Sequence, residues 1–408
     1  MPFVCDVPHA LALTMKENIP LMREGNQLAW DRFAANQSGA CPYQLVAWGE
    51  AIKRSYRHAP DYFIASKTPA GTIVNTLWGR GASDAGTNDG VREITGILPI
   101  VQIRHWLFGN SLVSMPYCDS GGVLAVNGAI ERKLIERVLN LANDRKVPVV
   151  ELRQNQPLSC LDDPGFMSPE EPSGVRQVRT AEGWCLSVVT GNSKVRMLLE
   201  LAESADALMR SFDAKLRSQI RKPTKCGLEV KIGGLELIDD FYDVFCVNMR
   251  DLGSPVHSKS FIYQVLRNYP ENARIFIVHG QGVPMACSLT LGFNNVLANP
   301  WASSLRRYSQ FAPNMLLYWA MIEYACRNNF RIFDFGRSTV GEGTYRFKEQ
   351  WGARPAPLYW YRFARGKQCA TETTDGKGRM SRAVDLWKRL PVPVTRFFGP
   401  KIRRYISL

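Results

Sequence analysis

One succession of patterns occurs twice in this 408-residue chain and limits what it can fold into. In the first half, "EITGILPIVQIRH" (93–105) and "GNSLVSMPYC" (109–118) are apolar enough to be strands. "AIERKLIERVLNLANDRK" (129–146) then carries Ile130, Leu134, Val138 and Leu141 at helical spacing, with Arg and Glu between them. "VPVVELR" (147–153) follows as a short buried strand. In the second half, "ARIFIVHGQGVPMACSLTLGF" (273–293) predicts a hairpin around Gly280-Gln281-Gly282, and "NVLANPWASS" (295–304) a further strand. "PNMLLYWAMIEYACRNN" (313–329) predicts a helix with Pro313 in its first turn. It is apolar nearly all round and so should be deeply buried. "FRIFDFG" (330–336) closes the unit as a strand. Strands, a helix and a strand, twice over, predict two similar α/β domains. The length agrees, since 408 residues exceed one ordinary core.

Between the repeats, "SCLDDPGFMSPEEPSGVRQ" (159–177) is dense in Pro, Gly and Ser, with acidic Asp162, Asp163, Glu170 and Glu171. It reads as a surface loop near the boundary. The expected division is 1–190, 191–365 and a tail, 366–408. The second domain is expected to open with one long helix, "SADALMRSFDAKLRSQIRKPTKCG" (204–227). Leu208, Phe212, Leu216 and Ile220 make its apolar face, and Arg210, Arg217 and Arg221 lie opposite. Those cations form either a solvated face near a helix C-terminus or a grip on phosphate. In the tail, residues 376–408 hold nine Lys/Arg and one Asp, interleaved with Trp387, Phe397, Phe398 and Tyr405. Such a mixture suits a membrane surface, or aromatics packed on the body of the protein.

Composition narrows the partners more than the fold. Hydrophobic residues at 45% exclude a disordered chain. A net charge of +14 favours anionic partners: nucleic acid, phosphorylated substrates or an acidic membrane face. The ten cysteines are scattered without a C-x-x-C pair, which predicts reduced thiols and a cytoplasmic setting. Five dispersed histidines make a zinc site unexpected, so no metal ligand is assigned. The first twenty residues lack the form of a secretory signal. No apolar run is long enough for a transmembrane helix.

The segment "FDFGRSTVGEGTYRFKEQWG" (333–352) places a glycine-containing loop after an apolar strand. Gly336, Gly341 and Gly343 make neither a Walker loop nor G-x-G-x-x-G, so a nucleotide P-loop is disfavoured. By itself the loop is a tight connection using glycine at positive φ. No G-x-S-x-G elbow is present either. The wider stretch, "YSQFAPNMLLYWAMIEYACRNNFRIFDFGRSTVGEGTYRFKEQWGARPAPLYW" (308–360), resembles the C-terminal module of the FemAB family. A Tyr-Ser turn precedes a Pro-started helix, a strand ends in Asp334-Phe-Gly336, and the loop leads to Phe347-Lys348 and Trp351-Gly352. "KLRSQIRKPTKCGLEV" (215–230) resembles the family's entry into this module. "DLGSPVHSKSFIYQVL" (251–266) and "LWKRLPVPVTRFFGP" (386–400) resemble the branch associated with exosortase/PEP-CTERM and exopolysaccharide loci. The resemblance covers roughly residues 20–365.

It implies tandem domains of the N-acetyltransferase (GNAT) fold, each a mixed sheet flanked by helices. The implied chemistry is acyl or aminoacyl transfer to an amine of a cell-envelope or exopolysaccharide precursor. The alternative is a non-catalytic scaffold that binds a lipid-linked glycan at the membrane surface. Transfer requires the amine to lose a proton and the tetrahedral oxyanion to be stabilised. Asp334 is the candidate base or amine-orienting group, and otherwise a cap on the loop's amides. Lys348, at the family's Phe-Lys position, is the candidate contact to phosphate or the acyl carbonyl. Arg337 and Tyr345 are further substrate contacts. Arg306, Arg307 and Tyr308 precede the buried helix where GNAT enzymes bind the donor's pyrophosphate. Trp301 either lines the substrate channel or packs in the core. Arg217 and Arg221 are the phosphate-gripping candidates of the basic helix. The turn Arg307-Tyr-Ser-Gln-Phe-Ala-Pro lacks the glycines with which GNAT enzymes hold coenzyme A. No bound cofactor is expected, and the donor is aminoacyl-tRNA or an acyl-CoA or other acyl-thioester. The expected partners are an anionic, nucleotide- or lipid-linked precursor, tRNA, and a peripheral membrane contact made by the tail.

Overall fold

The computed structural model describes residues 24–67, 73–78, 93–162, 168–169, 178–179, 183–188, 194–365 and 376–408. The expected acidic loop lies largely outside these residues, as does the N-terminal stretch. The strands of the first half are β1 (Pro60–Lys67), β2 (Ile73–Trp78), β3 (Glu93–His105), β4 (Gly109–Val113), β5 (Leu124–Ala125), β6 (Val149–Gln154), β7 (Ser168–Pro169), β8 (Val178–Arg179) and β9 (Cys185–Val188). Those of the second half are β10 (Lys194–Glu200), β11 (Leu228–Gly233), β12 (Ala273–Gly280), β13 (Val283–Phe293), β14 (Val296–Ser304), β15 (Ile332–Thr339), β16 (Arg354–Pro357) and β17 (Tyr359–Ala364). Helices α1 (Glu24–Ala35), α2 (Val46–Tyr56) and α3 (Gly128–Asp144) belong to the first half. The second holds α4 (Ala205–Ser211), α5 (Ala214–Lys225), α6 (Ile238–Leu252), α7 (Lys259–Asn268), α8 (Pro313–Arg327) and α9 (Gly343–Glu349), followed by α10 (Gly376–Arg389) and α11 (Val392–Arg403).

The repeat read in the sequence is present in space. Helix α3 connects β4 to β6, which pair in parallel, and α8 connects β14 to β15, which also pair in parallel. The Asn127 side chain accepts from Ile130 N and starts α3. Pro313 stands in the first turn of α8, as expected, and nine residues of that helix are buried. The hairpin of β12 and β13 turns at Gln281-Gly282, both at positive φ, as a two-residue turn requires.

Two expectations are corrected. The long helix is broken at Phe212-Asp213 into α4 and α5. The Asp213 carboxylate accepts from Leu216 N at 2.6 Å and so begins a second helix. The apolar face survives the break, because Leu208, Phe212, Leu216 and Ile220 are all buried. Secondly, Cys185 is disulfide-bonded, so not every thiol is reduced.

The second sheet has the order β11-β12-β13-β14-β15-β10-β16. The first runs β2-β1-β3-β4-β6-β17-β9-β8-β7. Residues 359–364, which the sequence places with the second half, thus sit inside the first sheet, with Tyr361 opposite both Leu152 and Val188. The cause is β16. Its Pro355 and Pro357 lack amide hydrogens and suit only an edge, so the next strand leaves that sheet.

One buried cluster spans both halves. Trp48 of α2 stacks on Trp301 of β14 at 5.9 Å, and Phe261 of α7 meets both rings edge-on. His257 stands beside them, fully buried. Arg403 of α11 donates to its Nε2 at 3.1 Å, so Nδ1 carries the proton and faces the Tyr56 hydroxyl at 3.0 Å. Burial and then the Arg403 charge hold the imidazole well below its ordinary value of 6.5. Folded His257 therefore stays neutral where the unfolded chain takes up a proton, and its contribution is lost as pH falls below about 6.5. Thermal unfolding at graded pH should show the wild-type midpoint dropping over that range, and His257→Gln should flatten the drop.

Candidate active site

The site is built where β14 and β15 part. They pair at Val296–Ile332, Leu297–Phe333 and Ala298–Asp334 and no further. Against its other neighbour, β14 places Trp301 opposite Leu289 and Ala298 opposite Leu291, so Asn299 and Pro300 bulge opposite a single residue. Pro300 has no amide hydrogen to continue a ladder, which accounts for the bulge at this step. Beyond it, Gly336 adopts φ +74, and a Cβ there would come within 3.1 Å of Asn299 O. The buried Asn299 is held by Ser288 Oγ at 2.8 Å and by the Tyr318 hydroxyl.

Beside the divergence lies a cavity of about 290 Å³. Asn248, Ser303, Asn314, Tyr318, Thr344 and Lys348 are among its lining. Asn248 Nδ2 donates to Ser303 Oγ at 3.0 Å, tying α6 to the end of β14. The sequence segment 333–352 thus forms one wall, and the first turns of α8 another.

Asp334 and Lys348 are both buried. The Asp334 carboxylate is already engaged. Its Oδ2 accepts from Arg196 Nε at 2.9 Å and Nη2 at 2.7 Å, and its Oδ1 accepts from Gly336 N at 2.8 Å. Lys348 Nζ donates to Gly336 O at 3.0 Å and Arg337 O at 2.9 Å. Burial pushes the Lys348 ammonium down to about 8, against the opposing pull of Asp334 and Asp119. An ammonium has three N–H donors, and two are spent on main-chain oxygens.

The other sequence candidates divide. Arg337 reaches the first half, with Nε 3.4 Å from Asp119 and its guanidinium over Trp360 at 5.1 Å. Arg153 lies over the same indole at 4.8 Å. Tyr345 is half-buried on α9 against the second-half core. Trp301 packs in the shared aromatic cluster. Tyr308 touches both cores, with Arg307 over its ring at 4.8 Å, while Arg306 is exposed. Arg217 instead donates to Phe212 O at 2.7 Å and finishes α4, and Arg221 is exposed on α5; neither lines the cavity. Sequence reasoning missed Arg196, Asn299 and Asp119. Arg196 could have been suspected, since it is the one charged residue inside the apolar alternation of "KVRMLLE" (194–200).

Residues 210–349 match the family model described as Acetyltransferase (GNAT) domain. The structure is similar to the crystal structure of FemX, with a TM-score of 0.54 and 14% identity over 82% of this chain and 95% of that one. The fold is that of tandem GNAT domains. A further similar structure is the C-terminal domain of a putative lysylphosphatidylglycerol synthetase from Agrobacterium fabrum. Its TM-score is 0.49, with 9% identity over 86% of this chain and 95% of that one. A search of curated proteins finds no match. The GNAT match contains Asp334 and Lys348 but stops short of Trp360, and it begins after Arg196.

Arg196→Met would leave Asp334 buried without its cation. This should destabilise the protein by about 3–5 kcal/mol, measured by chemical denaturation. Replacing both residues, as Arg196→Met with Asp334→Leu, should restore a large part of that loss.

Proposed function

We propose that this cavity catalyses transfer of an acyl or aminoacyl group to an amine on an anionic, nucleotide- or lipid-linked envelope or exopolysaccharide precursor. The observation that carries the reading is Lys348: a buried ammonium at the strand divergence, with two donors anchored and one left for a reacting oxygen. In the reaction the amine nitrogen bonds to the acyl carbon, and the bond from that carbon to the donor's oxygen or sulfur breaks. The amine's proton leaves, and the departing alcohol or thiol gains one. Lys348 stabilises the carbonyl oxygen while it is negative.

Asp334 acts in this scheme as a positioning residue. Its carboxylate fixes the Gly336 turn, whose carbonyl in turn fixes Lys348. Arg337, exposed Arg306 and Arg307 supply positive charge for a phosphorylated substrate. The glycine-free turn at 306–311 is a 3-10 helix in which Tyr308 N bonds Leu305 O. Amides used this way are withdrawn from a donor's pyrophosphate, which favours aminoacyl-tRNA over acyl-CoA.

Lys348→Met should lower kcat/KM by about 10²–10³, the usual loss for an oxyanion donor, with the fold intact by circular dichroism. Aminoacyl-tRNA and acyl-CoA are each supplied with an amine acceptor. Glycan binding that persists without turnover on either donor would replace the enzyme by a non-catalytic scaffold. Because Lys348 must be protonated to act, wild-type activity should fall as pH rises through about 8. In Lys348→Arg that fall should vanish, since arginine keeps its proton throughout.

A further inference from the structure

The hairpin joining β3 to β4 ends in three exposed apolar side chains. Trp106 is 90% exposed, Leu107 64% and Phe108 44%. The tip is hydrogen-bonded to its own flank. Leu107 N and Phe108 N both donate to His105 Nδ1, at 3.1 and 3.4 Å, and Gly109 closes the turn at φ +94. The His105 ring lies 4.3 Å from the Tyr405 ring, just beyond the end of α11. Phe398, Lys401 and Tyr405 are spaced along one side of that segment, at i, i+3 and i+7. Phe397 and Phe398 are exposed at 60% and 49%, with the Lys401 ammonium 3.8 Å above the Phe397 ring. Hairpin tip and helix therefore form one aromatic surface, contributed by residues 105–108 of the first half and by the C-terminal segment.

We infer that this surface docks the protein on an anionic phospholipid bilayer. Trp106, Leu107 and Phe108 enter the headgroup and acyl boundary, and the α11 stripe lies on the headgroups. Charge selects this occupant. Residues 94–118 contain no Asp or Glu, and residues 376–408 contain only Asp385. Exposed Arg104 and Lys401 have no carboxylate partner among the described residues. A tip of exposed Trp, Leu and Phe accompanied by Arg104 and Lys401, neither held by a carboxylate among the described residues, matches an interface that is apolar beneath and negative above. No helix among the described residues is long and apolar enough to cross a membrane, so the contact is peripheral. The tail alone is not the anchor, since much of it packs on the body. Arg250 donates to Leu390 O at 3.0 Å, Arg396 pairs with Asp243 at 2.6 Å, and Arg403 is buried.

The test is co-sedimentation of the full chain with phosphatidylglycerol/phosphatidylcholine vesicles and with phosphatidylcholine vesicles. The wild type should bind the anionic vesicles, and raised salt should weaken binding. Trp106→Ser with Leu107→Ser should lower partitioning at least roughly tenfold, and Lys401→Glu roughly tenfold. Both variants should unfold at the wild-type temperature. Should the double variant misfold, an environment-sensitive fluorophore on Leu107→Cys, in a background with Cys5, Cys226 and Cys369 replaced by serine, gives the answer: a blue shift on anionic vesicles supports insertion. No wild-type binding, undiminished binding by the folded double variant, or an unshifted fluorophore would each overturn the inference. Binding of tRNA that is lost in the double variant, without vesicle binding, would assign the surface to nucleic acid and overturn it as well. None of these readouts depends on acyl transfer.

Discussion

The two halves are held by an aromatic core that neither could form alone. Tyr56 from the first half and Phe261 and Trp301 from the second meet the His257 ring, and Trp48 of the first half stacks on Trp301 behind it. A buried imidazole needs both nitrogens satisfied. It meets that need with a hydroxyl from α2 and a guanidinium from α11, so three distant segments converge on one ring. Burial keeps the ring neutral, and Arg403 beside it adds to the same effect. Arg403 is itself pushed down to about 10 by burial. The packing is paid for by hydrophobic burial rather than by ion pairing, which suits a contact between domains that must hold one geometry.

The candidate site depends on a smaller event, the failure of β14 and β15 to stay paired past Ala298 and Asp334. A proline in β14, a left-handed glycine in β15 and a buried asparagine turn that failure into a fixed opening. Its electrostatics are divided. One cation, Arg196, donates twice to the carboxylate at the divergence, while Lys348 donates to neutral main-chain oxygens. Coulomb attraction therefore stabilises the first pair, and desolvation governs the second group. Arg337 of β15 faces the first half through Asp119 and Trp360, while the residues lining the cavity all belong to the second half.

Much of the architecture was legible because it is local. Periodicity placed β3, β6, α3, α8 and the β12–β13 hairpin within a few residues. Asp334 and Lys348 were singled out as candidates through one contiguous segment, and both bond to Gly336. What escaped were partners distant in sequence. Arg196 lies 138 residues from Asp334, and no spacing rule links them. The break at Asp213 was missed because the apolar face continues through it, and periodicity reports the face and not the backbone. Arg217 and Arg221 shared a side as expected, but one is spent on capping a neighbouring helix.

The placement of β17 bears on how the chain is made. This strand lies between β6 and β9, yet it leaves the ribosome some two hundred residues after β6, with Tyr361 destined to face Leu152. Until then the first sheet is two fragments with open edges. Edges left open for that long invite wrong pairing. Both sheets therefore receive their last strand almost together, since β16 completes the second only one residue before β17 joins the two fragments of the first.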